Sequence, residues 1–401
     1  MKSQLFDILS VKSKREILDL SQKTGVSYDM LTYYNTNNLL PSYSDLQSIA
    51  DTTRISKIEI MLSMGIYDNE LISKLSQYAT TISKVLPAVI DDEKKHPIVL
   101  NPAFKTNFGK LYNADCLQAL KEVEHDSIDL IFADPPFNLN KSYPSNIDDN
   151  LIEGDYIRWS EKWIDECIRV LKPGGSFFLW NIPKWNTYFS KYLNERLTFR
   201  HWIVSDIKFS LPIKGKLYPS HYSMLYYCKG NKPNYFNADR LPMEICPKCK
   251  SDLKDYGGYK DKMNPLGINM TDVWYDIPPV RHSKYKKRKG ANELSIRLLD
   301  RVIEMASQTG DTILDPFGGS GTTYITAEIK KRNWIGIEIG PIDEIISRFA
   351  DMHSEEVTLS NYRKRYNKLF SDEDTIARKK KGLWTHETFI KEEQLFIPIA
   401  V

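Results

Sequence analysis

A chain of 401 residues, 41% of them hydrophobic and with a formal net charge of +3, is long enough for a main globular domain with additions. The near-neutral balance neither demands nor excludes a nucleic-acid partner, so local charge has to decide that question. No apolar run approaches a membrane span, residues 1–14 carry no signal-peptide core, and five cysteines scattered apart from one pair fit a reducing cytoplasm better than a disulfide framework.

The first 85 residues read as a separate all-helical domain. Helices are expected over 14–23 and, after the turn Gly25-Val26-Ser27 with Ser27 as cap, over 28–34. Two more are expected over 44–53 and 55–64, the last ending at Gly65. Short helices joined by a glycine turn resemble repressor-type helix-turn-helix domains, although a small bundle that packs on another domain has the same pattern. The segment is not conspicuously basic. Residues 86–103, which include Asp91-Asp92-Glu93-Lys94-Lys95, read as an exposed linker.

A main domain is expected over 104–355. Its first apolar strand, from Gly109, ends in Asn113-Ala114-Asp115-Cys116. The run Ile128-Asp129-Leu130-Ile131-Phe132-Ala133 reads as a buried strand that stops at Asp134-Pro135-Pro136-Phe137. Proline cannot donate to a sheet ladder, so the chain leaves the sheet there as a rigid loop. Open α/β sheets bind ligands outside the carboxyl ends of their strands, where this tetrapeptide lies. Asp134 offers a carboxylate acceptor, the Pro135 carbonyl a second acceptor, and Phe137 a flat face. Two acceptors and a stacking plane suit the exocyclic amino group of a flipped-out nucleobase. A strand-ending turn with a capping acid is the plainer alternative. The polar stretch 138–155, with Pro144, is long enough for a mobile loop over a bound substrate.

A helix is expected over 155–171, with Pro173-Gly174-Gly175 turning into a strand over 176–180. Further strands are expected over 202–209 and 222–228, separated by the basic loop Lys214-Gly215-Lys216, with His221 just before the last. This alternation implies a doubly wound α/β fold, a mostly parallel twisted sheet with helices on both faces. Residues 231–290 break the pattern with Cys246-Pro247-Lys248-Cys249, Tyr256-Gly257-Gly258-Tyr259 and a run, 281–289, in which six of nine residues are Lys or Arg. That composition suits a target-recognition insertion, with cations for phosphates and polar and aromatic side chains for base edges. The cysteine pair is half of a zinc knuckle. No second such pair exists, Cys228, His221 or His282 could complete the set only if folding brought them together, and no metal site is assigned.

The second chemical stretch is Thr312-Ile313-Leu314-Asp315-Pro316-Phe317-Gly318-Gly319-Ser320-Gly321-Thr322-Thr323, again strand, acid and glycine-rich turn. A helix over 324–331 and a strand over 334–339 follow. Glycines let the backbone approach a cofactor closely, and a helix start presents free N–H groups. Glu338 lies near the ~20-residue spacing at which dinucleotide folds place a ribose-binding acid. The Lys-Ser/Thr ending of a phosphate-binding loop is absent. Asp315 instead sets a negative charge beside the loop, which suits a cationic, amine-bearing ligand such as S-adenosylmethionine.

The stretches 134–137 and 315–323, in that order, resemble the catalytic and cofactor motifs of the β-class amino-methyltransferases of DNA, the enzymes of restriction–modification systems. The resemblance covers about residues 105–355 and implies a Rossmann-like methyltransferase fold. It implies a catalytic set of Asp134, Pro135, Pro136 and Phe137. The cofactor set it implies is Asp134, Asp315, Phe317, Gly318, Gly319, Ser320, Gly321, Thr322 and Glu338. Relatives commonly carry Gly-Asp-Cys beside the cofactor's adenine, which adds Asp115 and Cys116, although Ala114 stands where that glycine usually does. A Lys-Pro pair of many relatives is missing at 289–294, and those positions are left out. The implied activity is sequence-specific methyl transfer from S-adenosylmethionine to double-stranded DNA, in the cytoplasm, with a homodimer left open. Adenine N6 is the implied target, because N4-cytosine enzymes more often have Ser at position 134. N4-cytosine methylation is the first alternative, and a helix-turn-helix regulator with a vestigial methyltransferase fold is the alternative of another class. The extension 356–401, with Arg378-Lys379-Lys380-Lys381 and an apolar end, either packs on the core or contacts a partner.

Overall fold

Serine and aspartate caps set most helix starts in the first part of the chain. The computed structural model describes residues 4–86, 100–140, 149–206, 212–254, 264–277 and 293–389, and the chain divides into two units, 1–96 and 97–401. The expected linker, the aromatic stretch 256–259, the basic run 281–289 with His282, positions 289–292 and the apolar end 395–401 lie outside the described residues. In the first unit the helices are α1 (Leu5–Ile8), α2 (Lys14–Thr24), α3 (Tyr28–Asn37), α4 (Tyr43–Thr53), α5 (Lys57–Met64), α6 (Asn69–Gln77) and α7 (Ala79–Val85). Ser13, Ser27, Ser42, Ser56 and Asp68 each accept the backbone N–H three residues on, and Glu16 completes a capping box with Ser13. Losing one such cap costs about 1 kcal/mol. Gly25, with φ +74°, ends α2 and starts the expected turn into α3. Leu20, Leu31, Leu46, Ile49, Ile60 and Met64 form the core of this unit. Helices α1, α6 and α7 add to the four expected. A helix as short as α1 forms only because tertiary burial, here of Leu5, holds it.

The second unit begins with β1 (Phe104–Lys105), β2 (Gly109–Asn113), α8 (Cys116–Lys121), β3 (Ile128–Ala133), α9 (Glu153–Val170), β4 (Leu171–Asn181), α10 (Pro183–Asn194), β5 (Thr198–Asp206) and β6 (His221–Cys228). The short strands β7 (Arg240–Leu241), β8 (Ile268–Asn269) and β9 (Val273–Trp274) follow. It ends with α11 (Ile296–Ala306), β10 (Thr312–Asp315), α12 (Thr322–Ile329), β11 (Asn333–Glu338), α13 (Asp343–Ala350), α14 (Met352–Arg363), α15 (Asp372–Lys380) and α16 (His386–Phe389). Among the described residues one sheet runs β1-β2-β11-β10-β3-β4-β6-β5-β9. The pairs from β2 to β4 are parallel, as is β5 with β9, whereas β1 with β2 and β6 with both β4 and β5 are antiparallel. The sheet is therefore mostly parallel, with an antiparallel arm.

Strand β3 shows why the sheet is covered on both faces. Leu130 and Phe132 pack into one core with α11 and α12, while Ile128, Ile131 and Ala133 pack into the other with α8, α9 and α10. A continuous apolar run is what a two-sided burial demands. Pro173-Gly174-Gly175 is not the turn expected from sequence but lies within β4. Ile128 pairs with Leu171 and Leu130 with Ser176, so the extra residues bulge out of a continuous strand. The stretch 231–290 is less of an appendage than expected. Its β9 extends the main sheet beside β5, with Trp274 buried. The extension after residue 355 packs on this unit: Met243 donates to the Leu369 carbonyl, and Lys250 pairs with Asp374.

Candidate active site

Strand β3 delivers the loop 134–138 to the carboxyl end of the sheet, and side chains from two helices hold it there. The Tyr156 hydroxyl, from the first turn of α9, donates to the Pro136 carbonyl at 2.6 Å. The Trp185 indole N–H, from α10, donates to the Phe137 carbonyl at 2.6 Å. Burial pushes the Tyr156 hydroxyl well above its usual range, so it stays protonated and able to donate. Beyond the motif, Asn138 takes the left-handed backbone that asparagine tolerates, with φ +52°. Its side chain closes a reciprocal pair with the Leu151 backbone, while Asp149 accepts from the N–H groups of Asn138 and Leu139. The described ends of the expected mobile loop are thus cross-linked to each other; residues 141–148 are outside the described set.

Phe137 does not offer the stacking face read from the sequence. Its ring is only 5% exposed, lies 5.8 Å from the Tyr222 ring, and belongs to the core. The ring packs toward Tyr222 and does not line the cavity.

The glycine-rich turn after β10 is built around buried polar groups. Asp315 accepts from the Phe317 N–H at 2.9 Å and from the Thr323 hydroxyl. It is 3% exposed, and burial pushes its carboxyl up to about 7. The fixed negative charge expected beside the loop is therefore corrected: burial disfavours the ionised form, and Asp315 is an internal strut of the turn. Glu338, at the end of β11, accepts from the N–H of Gly319 at 2.7 Å and of Gly340 at 2.6 Å, one on each oxygen. Each oxygen keeps a second lone pair for a ligand hydroxyl. Gly318 is required by close packing, because a Cβ there would lie 2.7 Å from the Tyr324 hydroxyl. Gly321, with φ +72°, is the N-cap of α12.

Arg348, from α13, is buried beneath this turn. Its guanidinium donates to the Ser320 carbonyl at 3.0 Å and the Thr322 hydroxyl at 2.8 Å, and pairs with buried Glu355 at 3.1 Å. Neither Arg348 nor Tyr156 was singled out from the sequence. Arg348 falls where the motif pattern fades, and the one available signal for Tyr156 was an aromatic stripe at helical spacing, Tyr156, Trp159 and Trp163.

The two loops face one cavity of ≈ 590 Å³, within the size range of small-molecule sites. Of the expected site residues, Asp115, Cys116, Asp134, Pro135, Pro136, Asp315, Phe317, Gly318, Gly319, Ser320, Thr322 and Glu338 line it; Phe137 and Gly321 do not. Asp115 also caps α8 through Oδ1. Burial raises the Cys116 thiol far above the range of a nucleophile. The lining carries seven carboxylate side chains and, among the described residues, no Lys, Arg or His. That donor set repels phosphates and fits a ligand with a sulfonium, an ammonium and a ribose diol; Tyr156, Trp159 and Phe317 supply aromatic faces that attract cations. Elsewhere, Cys249 Sγ lies 3.4 Å from Asp252 Oδ2, and among the described residues no group of three or more metal-ligating side chains assembles around the cysteine pair. Among the same residues no helix is long and apolar enough to cross a membrane.

A Rossmann-like sheet with paired acid-proline and acid-glycine loops at its carboxyl edge fits a transferase that uses a phosphate-free nucleoside cofactor. Residues 128–346 match the DNA methylase family N6_N4_Mtase. Type II methyltransferase M.BamHI of Bacillus amyloliquefaciens is 44% identical over 97% of this chain and 94% of its own length. DNA adenine methyltransferase YhdJ of Escherichia coli (strain K12) is 33% identical over 58% of this chain and 81% of its own. Among solved structures, PvuII DNA methyltransferase (cytosine-N4-specific) superposes with a TM-score of 0.46 at 18% identity, over 65% of this chain and 96% of that one. The chain belongs to the N6/N4 family of DNA amino-methyltransferases, of the restriction–modification type.

Proposed function

We propose that the chain methylates the exocyclic amino group of a flipped base at a specific sequence in double-stranded DNA, with S-adenosylmethionine as donor and adenine N6 as target, as the modification enzyme of a restriction–modification system. The observation that carries this reading is the single acidic cavity shared by the loops 134–138 and 315–322. The bound donor supplies an electrophilic methyl group. An exocyclic amino nitrogen is a poor nucleophile because its lone pair is delocalised into the ring. Asp134 and the Pro135 carbonyl accept its two hydrogens, which draws the nitrogen toward tetrahedral geometry and frees the lone pair. The next two carbonyls, of Pro136 and Phe137, are already engaged by Tyr156 and Trp185, which orients the loop for that task. Pre-alignment of this kind is worth roughly 7–11 kcal/mol of barrier. The acid at position 134 favours adenine, although a cytosine amino group presents the same two hydrogens.

Expression in a host without DNA methylation, followed by nucleoside mass spectrometry and modification-sensitive sequencing, tests the reading. N6-methyladenine at one short sequence is expected. N4-methylcytosine would move the target while keeping the chemistry. Absence of any methylated nucleoside, with DNA binding retained, would leave only the regulator. We extend the proposal to residues 1–85 as a module that helps hold the duplex. Their deletion then raises KM for DNA and flattens its salt dependence while kcat survives.

A further inference from the structure

The loop between β5 and β6 presents an apolar side chain to solvent, with no partner among the described residues. Its described part, 212–220, contains a tight turn in which the Lys216 N–H donates to the Ile213 carbonyl at 3.2 Å. Gly215 has φ +73° at the third position of that turn, as a type II turn requires. Residues 212–217 are all exposed, and Leu217 is 94% exposed. Lys214 and Lys216 are the second and fourth residues of the turn, and neither pairs with a described acid.

Register places this tip at the active-site end of the sheet. The β5–β6 ladder closes with Asp206 opposite His221, and Ser223 pairs with Asn181 at the end of β4. Leu179 of β4 pairs with Ala133, the residue before Asp134. Strands β3 and β6 are two ladder spacings apart, about 10 Å. Tyr222, one residue into β6, sets its ring 5.8 Å from Phe137 and 5.2 Å from Trp180. The described part of the loop therefore enters β6 at the end of the sheet that carries the catalytic motif, on the same edge as a cavity whose lining offers phosphates no cation among the described residues.

We propose that Leu217 is a wedge that enters the duplex where the target base leaves it, with Lys214 and Lys216 on the flanking phosphates. The inference rests on the reading of the chain as a methyltransferase of duplex DNA. Extruding a base breaks its stacking and leaves a hole in the helix. Apolar side chains inserted at base steps offset such unstacking, and lysines beside them neutralise the backbone. A leucine directly after a tight turn that carries two cations matches both requirements.

The test uses full-length protein and two duplexes built around the sequence found methylated in the host. One is intact, and the other has an abasic site opposite the target base, so that the base is already unpaired. For Leu217→Ala, kcat/KM on the intact duplex is expected to fall about ten- to a hundredfold, the scale of a few kcal/mol of unstacking. On the abasic duplex it is expected to stay within about threefold of wild type, because no pairing remains to be broken. Leu217→Met should recover the intact-duplex rate, and Lys214→Ala with Lys216→Ala should reduce the salt slope by about two. Equal loss on both duplexes, or loss on neither, would overturn the wedge. Wild-type protein that methylates neither duplex would instead overturn the methyltransferase reading, and the wedge with it.

Discussion

The two walls of the cavity are held by opposite means. The wall at 134–138 is a proline loop whose carbonyls are fixed by single side-chain donors, Tyr156 and Trp185, from two neighbouring helices. The wall at 315–322 is fixed from within and from beneath, by Asp315, Glu338, Tyr324 and the buried Arg348–Glu355 pair. The first design leaves backbone acceptors on the loop available for chemistry. The second gives a stiff cradle, at the cost of charges taken out of water. Losses at the cradle should therefore appear in stability and cofactor affinity, and losses at the proline loop in turnover.

The largest break in that contrast should come from Arg348→Met. Breaking a buried pair from one side costs about 3–5 kcal/mol. Thermal unfolding should fall accordingly, and calorimetry should show weakened S-adenosylmethionine binding. Adding Glu355→Leu should restore stability but not affinity; recovery of both would mean that Arg348 serves packing alone.

Asp315 gives the cradle a pH signature. Its folded carboxyl titrates at about 7, above the ordinary aspartate value near 3.9. The raised value means that its contribution to stability is fully present below about pH 4 and is lost as pH rises through about 7, amounting to on the order of 4 kcal/mol. Asp315→Asn keeps the acceptor for Phe317 and should flatten stability between pH 4 and pH 7. Burial raises Glu338 in the same direction, so some slope should survive. An unchanged slope would contradict the buried-strut assignment.

On the other wall, Asp134→Ala should lower kcat about 10²–10³-fold, the loss that follows removal of one transition-state contact. DNA affinity should change little. Retention of a tenth of the wild-type rate would sink its role. The smallest effect belongs to Tyr156→Phe, which removes the donor to the Pro136 carbonyl, worth about 1 kcal/mol, and the longer bond accepted from Asn181. Single-turnover kinetics should show a rate reduced several-fold with the cofactor Kd unchanged. A shift in Kd alone would move Tyr156 from the catalytic wall to the cradle.

This contrast also divides what could be read from the sequence. The apolar run ending in Asp134-Pro135-Pro136, the glycine turn at 318–321 and the alternation of strands and helices are local patterns, and they place the cavity where it lies. The supports are not local. Trp185 reaches a carbonyl 48 residues away and Arg348 one 28 residues away, separations that no periodicity encodes. Phe137 was misplaced for the same reason, since whether a ring faces ligand or core depends on Tyr222 across the sheet. The charge on Asp315 was misjudged because an acid's position is visible in a sequence and its desolvation is not. The bulge at Pro173-Gly174-Gly175 uses the residues of a turn, and only its pairing with β3 reveals a strand.

Helix α9 touches every wall described. Tyr156 holds the Pro136 carbonyl; Trp159 and Trp163 lie 5.9 Å and 5.0 Å from the Phe317 ring; and Arg169, at the far end, donates to the Leu120 and Val123 carbonyls that close α8. A ligand that shifts Phe317 presses on the same rigid rod that aims the catalytic loop. Occupancy of the cradle and capture of a base are then linked equilibria, and linkage is reciprocal. Whatever factor the donor adds to affinity for an extruded base, the base must add to affinity for the donor. On the proposed reading, one long helix is the element through which such synergy would pass.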